Sequence, residues 1–160
     1  MPTNVGNTRL RRVLERCNII LNIRCIGIGG EMKEIILTTS KEFWDLMKSG
    51  KKTLIVKPNK PTNMFYPFRV LVYVSEEKKV VGKFDVYETF STIRMEDLLE
   101  GSCMTLKQII FRSNGKPFCG WRIKENSVFE YEMPISLEDA TGLIKPPSSW
   151  QYISKEQENE

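Results

Sequence analysis

The sequence predicts an α+β domain: a small mixed β-barrel of five to six short strands with two to four short helices. Three observations carry that expectation. The apolar residues fall mainly in short runs of β-branched character, such as "FRVLVYV" (68–74), bounded by Gly, Pro, Asn and Ser. One segment, "TSKEFWDLMKSG" (39–50), instead has helical periodicity, with Phe43, Trp44 and Met47 on one face. Short strands with one strong helix between the first two suggest a small mixed barrel.

The elements follow in order from Met32. "KEIILTT" reads as a short strand. The helix after it has a capping-box signature in Thr39 and Glu42, and Gly50 stands where a left-handed C-cap belongs. "TLIVK" (53–57) is a strand leaving that helix directly. "PNKPTNMFYP" is a loop, because Pro58, Pro61 and Pro67 cannot serve an interior ladder. "FRVLVYV" and "VVGKFDVYETF" (80–90) form a pair around the turn "EEKK", and Gly82 marks a bulge or a close backbone approach. "MEDLLEG" and "TLKQIIFR" are short helices, and "FCGWRIK" and "VFEYEMPI" are strands joined by "ENS". "SLEDATG" makes a helical turn before the extended "LIKPPSSWQYI".

At 160 residues, 41% apolar and 28% charged, the chain has the balance of one soluble domain with a single core. Three regions are expected: a basic N-terminal extension over 1–31, a folded domain over 32–153, and an acidic tail over 154–160. The extension is read as disordered or as a short helix with Leu10, Val13, Leu14 and Cys17 on one face; alternatively Met32 is the natural start. No apolar run reaches the roughly 20 residues of a membrane span, and no cleavable leader is evident, so a cytoplasmic location is expected.

Histidine is absent. That excludes a Ser-His-Asp triad, a Cys-His dyad and a histidine-ligated zinc. Cys17, Cys25, Cys103 and Cys119 contain no C-x-x-C pair, so reduced, mostly buried thiols are expected, with no metal and no cofactor. The net charge of +4 is unevenly spread. Lys48, Lys51, Lys52, Lys57, Lys60 and Arg69 lie between Asp45 and Glu76 without a single acid among them. Such a zone suggests a polyanion partner.

Three segments, taken in order, resemble the ASCH domain family, whose fold is PUA-like. They are "FWDLMKSGKKTLIVK", with its glycine-lysine turn before a basic strand; "FRVLVYVSEEKKVVGKFDVYETF", a hairpin ending in apolar-Gly-basic-Phe; and "EMPISLEDATGLIKPPSSWQYI", with its Pro-Ile and Lys-Pro-Pro elements. The resemblance covers roughly residues 33–153 and implies a PUA-like barrel that binds RNA or a nucleotide-like ligand. One branch of the family consists of amidohydrolases acting on acetylcytidine. Lys52 falls on that branch's catalytic lysine, but Ile55 stands where the branch has its threonine, and an isoleucine cannot act as a nucleophile. Thr53 is the nearby hydroxyl, and Glu88, Glu96 and Glu100 are candidate acids.

The binding reading therefore leads. Lys51, Lys52, Lys57 and Lys60 would neutralise phosphates, Arg69 would add a bidentate contact, and Tyr66 and Trp121 would stack unpaired bases, while Trp121, in a strand beside Cys119 and Gly120, reads first as a core residue. Phe65 is a further stacking candidate, and Gly120 would let a base approach the backbone. Against this stands an ordinary role for the lysines as solvated edge protection. An amidohydrolase using Lys52 with Glu88 is the first alternative. A small adaptor that reads a protein partner through its acidic tail or N-terminal helix is the second.

Overall fold

The apolar runs and the periodic segments fold where their patterns put them. In chain order they are β1 (Lys33–Thr39), α1 (Lys41–Lys48), β2 (Leu54–Lys57), β3 (Phe68–Val74), β4 (Lys79–Thr92) and a 3₁₀ turn (Met95–Leu98). There follow α2 (Leu106–Ser113), β5 (Phe118–Ile123), β6 (Phe129–Ile135), α3 (Leu137–Thr141) and β7 (Trp150–Ser154). This computed structural model describes residues 33–154. The helix expected near the N-terminus, Cys17, Cys25 and the tail beyond Ser154 lie outside the described residues. Lys33–Ile153 forms one compact unit.

Each segment read as a strand contributes one, so the sheet has seven strands rather than five to six. The hydrogen-bonded order is β2-β5-β4-β3-β1-β7, with β6 on β4. β1 runs parallel to β3, whereas β3, β5 and β6 pair antiparallel with β4. The path does not close into a barrel. β2 has only four residues before Pro58, too few ladder groups to bridge from β5 to a second neighbour.

The core forms on both faces of this sheet. Trp44 and Met47 of α1 pack over Ile35, Leu37, Val70, Val72 and Phe84. Ile36, Leu71 and Tyr73 face the other way, against Leu137 of α3 and Ile153. A third cluster, with Leu54, Val56, Leu98, Ile109 and Phe118, seats α2 and the 3₁₀ turn against β2 and β5. Each large apolar side chain buried in this way contributes about 1.5–3 kcal/mol.

The start of α1 differs from its expected cap. Thr39 stays in β1, opposite Val74, and Ser40 caps the helix by accepting from the Phe43 amide at 3.2 Å. The Glu76 carboxylate accepts from the Lys41 amide at 2.9 Å. Gly82 fulfils both of its expected roles. The β3–β4 register shifts beside it, and a Cβ there would strike the Phe129 carbonyl oxygen and come within 2.8 Å of the Trp44 ring. Among the described residues, no helix is long and apolar enough to cross a membrane. Nor does any group of three Cys, Asp or Glu side chains among them form a metal site.

Candidate nucleic-acid interface

The junction between α1 and β2 turns one lysine inward. Gly50 takes the left-handed turn at φ +84°, and the amides of Lys51 and Lys52 both donate to the Leu46 carbonyl at 3.0 Å. The next two amides, of Thr53 and Leu54, donate to the Gly101 carbonyl at 2.8 and 3.0 Å. Clamped on both sides, Lys52 is only 3% exposed. Its Nζ donates to the Ser102 carbonyl and lies 4.2 Å from the centre of the Phe43 ring.

Lys57, at the end of β2, and Arg112, in the last turn of α2, converge on the same place. With Thr39, Phe43, Ile55 and Met104 they line a recess of about 30 Å³, and none of the lining residues carries a carboxylate. Neither Lys57 nor Arg112 forms an ion pair among the described residues.

Burial pushes the Lys52 ammonium down to a pKa of about 8; the neighbouring Cys103 pulls it back up, while Lys57 and Arg112 push it further down. Lys57 is likewise lowered to about 8, first by burial and then by Arg112. The recess is thus a place where positive charge is poorly solvated and uncompensated. An anion entering it would relieve both conditions.

Solved structures with this arrangement of strands and helices come from Zymomonas mobilis. Its ASCH protein superposes with a TM-score of 0.62 at 18% identity, over 75% of this chain and 87% of that one. Two single-substitution mutants of the same protein give TM-scores of 0.65 and 0.63, at 17% and 16% identity. These matches cover 77% and 75% of this chain, and 89% of the other in each case. The fold is ASCH-like. No family model matches the sequence, and no curated protein sequence matches it. The resemblance read from the three sequence segments therefore holds at the level of the fold.

Within the ASCH-like fold the residues read as a site are only partly brought together. Lys52 and Lys57 meet in the recess. Lys51 is exposed on the turn behind it, and Lys60 sits half-buried on the 58–67 loop, outside the lining. Arg69 faces away: on β3 it alternates with the buried Val70 and lies 3.9 Å from Glu34. Strand parity separates it from the recess, a constraint that clustering by sequence position ignores.

The aromatic residues also divide. Tyr66 is 45% exposed, with its hydroxyl 2.6 Å from that of Thr89 and its ring edge-on to Phe68. Phe65 is exposed. Trp121 has no exposed face and cannot stack on a ligand. Its indole packs edge-on against Trp150 and donates to the Asn59 carbonyl at 3.2 Å, while the Trp150 indole donates to the Asn59 side chain at 2.9 Å. The two tryptophans pin the 58–67 loop instead. Gly120 admits the Phe90 ring rather than a base, since a Cβ there would meet that ring at 2.6 Å.

The catalytic alternative finds few of its parts at the recess. Ile55 lines it, Thr53 lies against Gly101, and Glu88 is paired with Arg122 at 3.2 Å. None of Glu88, Glu96 and Glu100 reaches the lining. Both described cysteines are free; Cys119 is buried as expected, but Cys103 is exposed beside Lys51, whose carbonyl it contacts at 3.5 Å.

Sequence reading missed Arg112. A signal for it existed: residues 101–124 contain no acid, but hold Lys107, Arg112, Lys116, Arg122 and Lys124. This is a second acid-free stretch, and pairing of β2 with β5 lays it alongside the first.

Proposed function

We propose that the protein is an RNA- or nucleotide-binding module that holds a phosphate in the recess of Lys52, Lys57 and Arg112. One observation carries this reading: three cations from separate elements converge on a cavity with no carboxylate in its lining. Lysines that served only as solvated edge protection would project into water and pair with nearby acids, whereas Lys52 is buried and Lys57 has no ion-pair partner among the described residues. The ligand is read as single-stranded, because a phosphate enters a recess of this size only when its backbone can bend toward it, as an unpaired strand or a free nucleotide can.

The test is a binding titration with a fluorescein-labelled single-stranded oligoadenylate across a range of salt. Binding should weaken steeply with salt, and Lys57→Glu with Arg112→Glu should lower affinity by at least about tenfold. Losing two phosphate contacts should also flatten the slope of log affinity against log salt by about 1.4. Unchanged affinity and slope in a folded double variant would remove the recess from the binding site.

A further inference from the structure

α2 buries Ile109 and Ser113 against the core and caps itself with Thr105, whose hydroxyl accepts from the Gln108 amide at 3.1 Å. Nothing in that packing requires an aromatic residue on its outer side. Yet Phe111 is 85% exposed, more than any other aromatic residue among those described. Lys107, one turn earlier, shares its face, as residues four apart on a helix do. Arg112, the next residue, belongs to the recess. The helix carries no acid, and neither does the chain from 101 to 124.

We infer that this outer face of α2 is a base-stacking platform: the Phe111 ring takes an unpaired base of the same strand whose phosphate enters the recess. The inference rests on the phosphate reading above and extends it. A nucleotide whose phosphate is held among Lys52, Lys57 and Arg112 needs a nearby surface for its base, and α2 is the element that carries Arg112. Phe111 adjoins Arg112 in the chain, so their Cα atoms are about 3.8 Å apart. A flat ring exposed among cations offers a strand both a π-face and phosphate contacts, the usual combination for unpaired nucleic acid. A purely apolar partner surface would leave Lys107 and Arg112 without countercharges, which favours a polyanion as the occupant.

The same oligoadenylate titration tests the platform with three variants at an exposed position. Phe111→Ala should weaken binding by about tenfold while leaving the salt slope unchanged, because stacking releases no counterions. Phe111→Tyr should bind as the natural chain does. Phe111→Leu, which keeps apolar area but loses the ring, should behave like the alanine variant. The platform is overturned if the alanine variant stays within about twofold of the natural chain, or if leucine restores binding. It also falls if Phe111→Ala instead converts a dimer to a monomer by sedimentation, which would make the face a contact between copies. If the charge reversals abolish binding and Phe111→Ala does not, only the platform falls. If the natural chain does not bind the oligonucleotide at all, both readings fall.

Discussion

Lys52 shows how one residue can be fully specified by its neighbours. A lysine ammonium in water titrates near 10.5, and burial beside Phe43, Lys57 and Arg112 brings this one to about 8, as it does Lys57. A lysine whose folded pKa lies below its unfolded value burdens the fold wherever it is charged, and that burden lifts as pH rises from about 8 toward 10.5. For ligand binding the sign reverses in practical effect. An anion prefers the protonated lysines, so affinity is greatest below pH 8 and falls as pH rises through that value. Oligoadenylate affinity measured from neutral to mildly alkaline pH should show this decline, and Lys57→Arg, which stays charged throughout, should shift or flatten it. An affinity that is level across that range would separate binding from these two lysines. At this scale the sequence puts Lys52 at the entrance to β2, but that it turns inward while Lys51 stays exposed depends on the backbone clamp to Leu46 and Gly101. The sequence leaves Trp121 open between core and stacking, because whether a strand aromatic is lid, pin or platform depends on what stands opposite it, here Asn59 and Trp150.

At the level of elements, β4 organises the sheet, and its glycine is where three pieces meet. The β4 backbone passes so close to the Phe129 carbonyl and the Trp44 ring that only a hydrogen fits at position 82. Gly82→Ala should therefore cost at least about 2 kcal/mol, as overpacking against an unyielding backbone atom does. Gly120→Ala should cost less, because its nearest contact is the outer end of the Phe90 ring, which can turn aside. Urea denaturation of both variants checks the order; equal losses would mean that β6 shifts readily away from β4. The positions of strands and helices were readable from periodicity and punctuation, and Gly82 was recognisable as unusual. The cap moved from Thr39 to Ser40 because Thr39 pairs with Val74, a contact set by the parallel alignment of β1 with β3. Local sequence contains no trace of that alignment.

Over the whole molecule, two acid-free stretches far apart in the chain are drawn together, and their charges meet at one end of the sheet. Residues 46–75 contribute Lys52 and Lys57, residues 101–124 contribute Arg112, and the β2–β5 ladder joins them. The compact unit Lys33–Ile153 contains all three. A chain lacking residues 1–31 should accordingly unfold in a single cooperative transition and keep the affinity loss caused by the double charge reversal, as thermal melts and the same titration would show. A broad, non-cooperative melt would mean that the upstream segment is part of the folded core.

The sequence by itself determines the α+β class, the order of the elements, the ASCH-like pattern in three segments and the basic character of the 46–75 region, because these depend on local spacing and composition. Only the tertiary structure decides that the sheet stays open, that Arg69 points away, that Trp121 is buried, and that Arg112 completes the recess. Those outcomes depend on strand parity and on pairings between distant residues, and such pairings are fixed by packing the core rather than by any short stretch of chain.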